Sequence, residues 1–247
     1  MQYAERLQTL AEWLKQSPYT VVFTGAGMST EAGLPDFRSK DGLWKQKDPR
    51  KLASLEAMQQ NPEEFYEFYR MRLATLGLAD PHQGHYLLAQ WEKERKIRAV
   101  ITQNVDGLHH KAGSNRVIEL HGTLREAVCL KCKAVFPAGV LMGQGIPRCR
   151  CGSMLKPGVI LFGEMLPQDA LHQADIESRR SHLFIVIGSS LEVSPANYFP
   201  LQAREAGAKL VIINMEKTIM DEEADLIIPG KAGEVLAEIN GLLQQEK

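Results

Sequence analysis

Short apolar runs and amphipathic helical segments alternate along most of the chain. Each apolar run has the length of a strand and no alternation of polar and apolar positions, which is typical of a strand buried on both faces. The predicted strands span residues 20–24, 97–102, 117–120, 183–187, 210–213 and 226–228, with a further apolar run at 158–162. Helical spacing of apolar residues predicts helices at 4–16, 63–76, 84–95 and 235–243. Buried strands separated by helices predict an α/β fold with a doubly wound, parallel, Rossmann-like sheet.

Two stretches interrupt this alternation and predict insertions into the sheet domain. Residues 40–80 have irregular apolar periodicity, and Gly42, Pro49 and Pro62 separate short helical pieces, which indicates a helical insertion. Residues 128–154 contain every cysteine of the chain, which indicates a small zinc-binding module. We therefore expect a single domain over residues 1–247, with a Rossmann-like part made of 1–39, 81–127 and 155–247.

Polar and glycine residues gather directly after the predicted strands. These residues are Gly25, Gln103, Asn104, Asp106, His121, Gly188, Ser189 and Asn214. In open parallel sheets, ligands bind outside the carboxyl ends of the strands. The pattern therefore predicts a ligand cleft at this edge of the sheet.

The first predicted strand runs into a glycine-rich loop. Gly25-Ala26-Gly27 lacks bulky side chains, so its main-chain N–H groups can approach a phosphate closely. We expect Ser29-Thr30-Glu31 to cap a following helix, whose N-terminus would add further N–H donors. The next glycine, Gly33, comes six residues after Gly27 rather than three, so the loop departs from the usual dinucleotide fingerprint. A tight strand-to-helix turn without a ligand is the alternative.

The cysteines form two closely spaced pairs. Cys129 and Cys132 are followed, after sixteen residues, by Cys149 and Cys151. Two such thiolate pairs suit one tetrahedral zinc ion with four sulfur ligands. Because a closed site of this kind has no open coordination position, we expect the zinc to be structural. Four unrelated buried cysteines are the alternative.

Charge and hydropathy narrow the possible partners and location. The 29 Lys and Arg residues nearly balance the 30 Asp and Glu residues, so net charge gives no reason to expect a nucleic-acid or membrane partner. No apolar run approaches 18 residues, and the N-terminus lacks a signal-peptide pattern. We expect a cytoplasmic protein.

One histidine stands at a predicted strand end. His121 directly follows the strand at 117–120, and an imidazole beside a nucleotide cleft can act as a general base because its pKa lies near neutrality. A hydrogen-bonded structural histidine is the alternative. The other six histidines are not at predicted strand ends.

The ordered motifs of the chain resemble those of the sirtuins, the NAD-dependent protein deacylases. Besides the two cysteine pairs, the motifs are Gly25-Ala26-Gly27-Met28-Ser29, Pro35-Asp36-Phe37-Arg38, Thr102-Gln103-Asn104-Val105-Asp106, Leu120-His121-Gly122, Phe162-Gly163-Glu164 and Gly188-Ser189-Ser190-Leu191. The resemblance extends from about residue 20 to about residue 232. It implies an enzyme that uses NAD to deacylate lysine in proteins or peptides, forming nicotinamide, free lysine and 2′-O-acyl-ADP-ribose.

The resemblance also implies roles for individual residues. His121 would be the base that deprotonates a ribose hydroxyl, Asn104 would position the ribose and a water, and Asp106 with Val105 would hold the nicotinamide carboxamide. The implied NAD-binding residues are Gly25, Ala26, Gly27, Thr30, Phe37, Arg38, Gln103, Asn104, Val105, Asp106, His121, Gly188, Ser189, Ser190, Asn214 and Ala232. The substrate peptide would lie as an added strand between Phe162-Gly163-Glu164 and a second segment that includes Val193.

The predicted helical insertion carries a pair that bears on the acyl group. Tyr69 and Arg72 are three residues apart and so share a helix face, and a hydroxyl with a guanidinium suits a carboxylate. This pair and the small residue Ala53 resemble the acyl pocket of the desuccinylase type of sirtuin. Pro35-Asp36 and Ser29-Thr30 look more like the deacetylase types. We expect succinyl- or malonyl-lysine to be accepted as well as acetyl-lysine; a solvated helix face is the alternative.

Three other functions are compatible with parts of the sequence. A dehydrogenase would also use NAD and a parallel sheet, but it would normally have the three-residue glycine spacing and a separate substrate domain. An NAD-dependent protein ADP-ribosyltransferase could share the fold, and a zinc-ribbon module could bind peptides without turnover. Nicotinamide release and the fate of ADP-ribose distinguish these functions.

Overall fold

A computed structural model describes residues 1–37, Gly42 and residues 48–245. The strands are β1 Thr20–Thr24, β2 Ala99–Thr102, β3 Val117–Glu119, β4 Gly122–Cys129, β5 Val135–Pro137, β6 Leu155–Val159, β7 Leu183–Ile187, β8 Lys209–Asn214 and β9 Leu226–Pro229. The α-helices are α1 Tyr3–Gln16, α2 Pro49–Leu52, α3 Leu55–Gln60, α4 Pro62–Gly77, α5 Gln83–Lys93, α6 Leu108–Lys111, α7 Gln168–Arg180, α8 Tyr198–Glu205 and α9 Ala232–Gln244.

The main sheet has six strands in the order β3-β2-β1-β7-β8-β9, and every neighbouring pair is parallel. Every residue of β1, β2 and β7 is buried, because helices cover both faces. Val22 of β1 packs with α1, α5 and α9, whereas Val21 and Phe23 pack with α7 and α8 on the opposite face. The predicted doubly wound parallel sheet is confirmed.

A second, antiparallel sheet has the order β5-β4-β6 and lies beside the helices of the insertion. Phe65 and Tyr69 of α4 share one buried cluster with Leu124, Cys129 and Leu155 of this sheet and the cysteine segment. The helical insertion and the cysteine-containing segment therefore stabilise each other through a common core. This sheet begins at Gly122 and ends at Val159, so it extends beyond the range 128–154 expected for the zinc module.

The apolar run at 158–162 is not one strand. Strand β6 ends at Val159, and the next residues bond to two other segments. The Ile160 N–H donates to the His121 carbonyl at 2.8 Å, and the Phe162 N–H donates to the Ala53 carbonyl at 2.8 Å. The run therefore connects the small sheet, the end of the main sheet and the helical insertion.

Candidate active site

A cleft of about 960 Å³ opens at the carboxyl ends of the main-sheet strands, beside the helical insertion. It contains nearly all predicted NAD-binding residues: Ala26, Gly27, Thr30, Phe37, Gln103, Asn104, Val105, Asp106, His121, Gly188, Ser189, Ser190, Asn214 and Ala232. It also contains every predicted substrate-binding residue: Ala53, Tyr69, Arg72, Phe162, Gly163, Glu164 and Val193. Of the two remaining predicted residues, Gly25 lies beneath the lining, and Arg38 is outside the described residues. The volume is at the upper end of the roughly 300–1,000 Å³ usual for ligand clefts.

Close packing of glycines shapes the floor of the cleft. A Cβ atom on Gly25 would lie 2.7 Å from the Gly188 carbonyl oxygen, and one on Gly27 would lie 2.8 Å from the Gly188 Cα. The Gly27 N–H donates to the Gly188 carbonyl at 2.8 Å. The loops after β1 and β7 can touch only because these positions lack side chains, so their main chain faces the cleft.

The expected helix cap after the glycine-rich loop is wrong. Residues Ala26–Ala32 form a 3-10 helix that starts directly after Gly25 and ends at Gly33, which has φ 81°. Thr30 therefore lies inside the helix and its hydroxyl donates to the Gly27 carbonyl at 3.0 Å. Glu31 instead accepts a 2.6 Å hydrogen bond from the Gly233 N–H at the start of α9. The loop still presents a helix N-terminus, but a shorter one that begins three residues earlier than the expected cap.

A hydrogen-bonded network lies where β1 and β2 end. The Ser29 hydroxyl donates to Asp106 Oδ2 at 2.7 Å and accepts from Asn104 Nδ2 at 3.1 Å. The Leu108 N–H donates to Asp106 Oδ1 at 2.9 Å, and the Asn104 N–H donates to Thr102 Oγ1 at 3.0 Å. Both Asn104 and Asp106 are thus fixed in orientation. Ser29 was absent from the predicted binding set, although it lies in the first motif.

Burial raises the pKa of Asp106 above its usual value. The hydrogen bonds from Leu108 and Ser29 and the positive charge of Arg72 act in the opposite direction, because they stabilise the carboxylate. Two hydrogen-bond donors and one positive charge therefore offset part of the rise in pKa that burial causes, which favours the carboxylate as a hydrogen-bond acceptor.

His121 is oriented by the segment that precedes Asn104. Its Nδ1 lies 2.9 Å from the Gln103 carbonyl oxygen, and a carbonyl can only accept, so Nδ1 carries the proton. The tautomer that results has Nε2 as the basic nitrogen. The Gln103 side chain in turn accepts a 2.7 Å hydrogen bond from the Ser189 hydroxyl. Three strand ends thus fix the position of one half-buried imidazole in the cleft wall.

Two other histidines lie behind this wall and are unsuited to the same role. Burial lowers the pKa of His85 to about 2 and that of His109 to about 3, and neighbouring histidines add to both shifts. His109 Nε2 lies 3.0 Å from the Thr24 hydroxyl. Neither histidine lines the cleft, so their neutral rings belong to the buried structure.

The two residues of the predicted acyl pocket face the cleft rather than solvent. Tyr69 is buried, and the Arg72 guanidinium lies 5.3 Å from the Phe37 ring centroid and 5.9 Å from that of Tyr69. Burial raises the pKa of Tyr69 to about 12 and lowers the pKa of Arg72. Ala53 is buried nearby in the same lining. The interpretation of Tyr69 and Arg72 as a solvated helix face is therefore wrong.

Several cleft residues were not predicted. They are Val159, Ile160, Leu161, Met165, Ser194, Met215, Glu216 and Lys231, among others. Four of these eight residues follow a predicted site residue by one or two positions, and the other four precede one by one to three positions. Adjacency to a strand-end motif was the only signal available for them.

The four cysteine sulfurs form a compact group, with every pair within 4.8 Å. Cys129 Sγ lies 3.5 Å from Cys151 Sγ, and Cys132 Sγ lies 3.6 Å from Cys149 Sγ. Tetrahedral zinc with Zn–S bonds of about 2.3 Å places its sulfurs about 3.8 Å apart. The donor set and its spacing therefore fit one zinc ion, as predicted.

No α-helix in the described part of the chain is long and apolar enough to cross a membrane.

The chain matches known proteins over nearly its whole length. The model of the Sir2 family matches residues 25–195. The chain is 51% identical over 239 residues to "NAD-dependent protein deacetylase 1" of Geobacillus kaustophilus (strain HTA426), covering 96% of this chain and 98% of that protein. It is similar to a solved Sir2 homologue in complex with NAD, with TM-score 0.90, 38% identity and coverage of 97% and 95% of the two chains.

A second solved structure holds a Sir2 protein with 2′-O-acetyl-ADP-ribose and a deacetylated p53 peptide. Its TM-score is 0.87 at 38% identity, and the alignment covers 96% of this chain and all of that one. Both the family model and the full-length relative agree with the resemblance to sirtuins seen in the motifs. The chain belongs to the Sir2 family.

Proposed function

We propose that the chain is an NAD-dependent protein lysine deacylase. The net reaction consumes NAD and one water and converts acyl-lysine to free lysine, nicotinamide and 2′-O-acyl-ADP-ribose. The observation that carries the proposal is the cleft in which His121, at the end of β3, lies beside Asn104 and Asp106, at the end of β2. A Sir2 relative named a deacetylase and a Sir2 neighbour with acetyl-ADP-ribose and deacetylated peptide support the same reaction.

NAD supplies the ribose carbon from which nicotinamide leaves, and its ADP-ribose part becomes the acyl acceptor. In this proposal the glycine-rich loop and Ser189-Ser190 bind the phosphates and a ribose, and Asn214 binds the adenine ribose. Because the Gly25 and Gly27 N–H groups already donate to main-chain carbonyls, the phosphates would lie against the glycine main chain at the start of the 3-10 helix. A carboxamide at a strand end suits ribose hydroxyls. Asp106 accepts a hydrogen bond from the nicotinamide carboxamide, beside Val105.

We assign His121 as the general base. Its Nδ1–H is engaged by the Gln103 carbonyl, so Nε2 can accept the proton of a ribose hydroxyl without a change of tautomer. Asn104 orients the ribose and a water from its fixed position beside Ser29. The cysteine site would hold zinc as a structural ion, because four sulfur ligands leave no position for substrate.

We further propose that the enzyme accepts succinyl- or malonyl-lysine besides acetyl-lysine. Arg72 and Tyr69 line the same cleft as His121, and Arg72 offers planar N–H donors to a carboxylate. The aromatic rings around Arg72 limit the access of water, which strengthens its interaction with an anion. Ala53 leaves room for the longer acyl chain.

In this proposal the protein binds acyl-lysine proteins or peptides as substrates and has no nucleic-acid or membrane partner. The net charge of −1 gives no electrostatic attraction to either. A cytoplasmic location is supported by four free thiols grouped for metal rather than paired in disulfides.

One assay tests the function directly. The purified protein is incubated with NAD and matched acetyl-, malonyl- and succinyl-lysine peptides, and all products are identified by mass spectrometry. We expect nicotinamide, free-lysine peptide and acyl-ADP-ribose in equal amounts. ADP-ribose attached to protein would instead indicate an ADP-ribosyltransferase, and absence of nicotinamide would indicate a binding module; either result refutes the proposal.

A further inference from the structure

A largely buried ion pair lies directly beneath the turn that carries Phe162-Gly163-Glu164. Lys156 Nζ is 2.8 Å from Glu164 Oε2, and the two side chains are 11% and 19% exposed. Lys156 also donates to the Val159 carbonyl at 2.6 Å. Lys156 comes from β6 of the small sheet, so the pair fastens the turn to a strand.

The Glu164 carboxylate also closes the turn itself. Its Oε2 accepts a 2.8 Å hydrogen bond from the Leu161 N–H, while the Glu164 N–H donates to the Leu161 carbonyl at 2.9 Å. Gly163 allows this reversal because it has φ 91°, a conformation that other residues rarely adopt. The carboxylate oxygen is therefore shared between the ammonium group and the turn backbone, and Lys156 fixes its position.

The turn has two connections to the reaction centre. The Phe162 N–H donates to the carbonyl of Ala53 in the predicted acyl pocket, and Ser54 forms a parallel bridge with Phe162. On the other side, the Ile160 N–H donates to the carbonyl of His121. A displacement of the turn would move the edge on which a substrate peptide pairs.

We propose that Lys156 is a positioning residue for the acyl peptide: it holds Glu164, and through it the 161–164 turn, in the conformation that binds substrate. This inference rests on the proposed function. Lys156 does not line the cleft and touches no reacting group, so its effect is indirect. In the loops after β1 and β7, the Gly27 N–H donates to the Gly188 carbonyl, and within the described residues no backbone hydrogen bond joins either glycine to this turn. A selective effect on the peptide is therefore predicted.

The test compares Lys156→Met with Lys156→Arg, because arginine keeps the charge and can still reach Glu164. Lys156→Met leaves a mostly buried carboxylate without its cation. Losing an intramolecular hydrogen bond to a charged group lowers the population of the binding-competent turn by about ten- to a hundredfold, which weakens peptide binding by the same factor. We expect the KM for acetyl peptide to rise by that factor and the KM for NAD to change less than about twofold. Lys156→Arg should restore most of the peptide affinity.

Lys111→Met is the matched control. Lys111 likewise donates to one backbone carbonyl, that of Ala79, and to one carboxylate, that of Asp80, but it lies outside the cleft lining. It should change neither KM. If Lys156→Met raised both KM values equally, left both unchanged, or were not rescued by arginine, Lys156 would have only a general structural role or none.

Amide hydrogen exchange separates this inference from the proposed function. The amides of Leu161 and Phe162 should exchange at least tenfold faster in Lys156→Met than in the unmodified protein, and Lys156→Arg should protect them again. Amides of β1 serve as the internal reference for global stability. Unchanged exchange at the turn overturns the inference even if the protein deacylates lysine, and faster exchange supports the positioning of the turn even if another reaction is found.

Discussion

Replacement of Arg72 by methionine tests the proposed acyl preference most directly. Methionine keeps much of the side-chain length and its packing against Phe37 and Phe68 but removes the guanidinium that lies over both rings. The acetyl group carries no charge, so deacetylation loses only the stabilisation that the Arg72 charge gives to the Asp106 carboxylate, and this loss affects both acyl groups alike. A succinyl carboxylate in the cleft would lose its cation.

The magnitude follows from the setting of Arg72. Hydrogen bonds to charged groups contribute about 1.5 to 3 kcal/mol, which corresponds to about a 10- to 150-fold change in rate. Arg72 is half-buried among aromatic rings, so solvent screens its charge less than at an exposed site. We therefore expect kcat/KM for a succinyl peptide to fall about ten- to a hundredfold and that for the acetyl peptide of the same sequence to fall less than about threefold.

Arg70→Met is the matched control for this change. Arg70 lies on the same helix, but its guanidinium donates to the carbonyls of Leu141 and Gly145 rather than entering the cleft. It should lower the melting temperature and change the ratio of the two activities much less than Arg72→Met does, because the guanidinium of Arg72 stays in the cleft. An unchanged succinyl-to-acetyl ratio in Arg72→Met, or an unmodified enzyme that ignores succinyl-lysine, would refute the assignment.

Three further changes test the rest of the site. His121→Ala should lower turnover by about two to four orders of magnitude with melting temperature and zinc content unchanged, and near-normal deacylation by the folded variant would exclude His121 as the base. We expect elemental analysis to find one zinc ion per chain, and alanine at any of the four cysteines should abolish zinc binding and lower the melting temperature. A zinc-free wild-type protein would contradict this expectation. Ser29→Ala removes a hydrogen-bond donor to the Asp106 carboxylate, so the pKa of Asp106 should rise further. The acidic limb of the pH–rate profile should then move to higher pH. An unmoved limb would show that activity does not require ionised Asp106.

The strands of the main sheet and the residues at their ends could be predicted because the inner strands β1, β2, β7 and β8 are apolar runs that are almost wholly buried. Helices α7 and α8 were not predicted, and the composition of the buried face of α7 gives the reason for that helix. It buries Glu177, which accepts from the Tyr19 hydroxyl at 2.7 Å and pairs with Arg116, so part of its inner face is charged. Only distant partners make that burial possible, and a local hydrophobic pattern cannot reveal them.

The small sheet was missed for a related reason. Strand β4 carries exposed Arg125 and Glu126 in its middle, and its pairing with β6 shifts register between Gly122 and Ala127. Such a strand has neither a continuous apolar run nor clean alternation. The 3-10 helix after Gly25 likewise depends on Gly27 and Gly188 touching across two loops, which is a tertiary contact.

Helix α4 connects the zinc module to the acyl pocket. The Tyr66 hydroxyl donates to the Leu155 carbonyl at 2.8 Å, and Arg70 bonds to the loop carbonyls of the zinc module, whereas Tyr69 and Arg72 face the cleft. Metal binding is coupled to the folding of the residues around it. Removing zinc should therefore loosen α4 from one side while His121 keeps its bond to the main sheet.

This coupling predicts a change of selectivity on mild chelation. Because the carboxylate contact depends on the position of α4, the ratio of desuccinylation to deacetylation should fall by several-fold before the melting transition of the main sheet is lost. Re-addition of zinc should restore the ratio of desuccinylation to deacetylation. In the Arg72→Met variant the same chelator should leave this ratio unchanged, because that variant has no guanidinium to displace. If both activities fell in strict proportion, α4 would not transmit the state of the zinc site, and the helical insertion would be held in place by its apolar core alone.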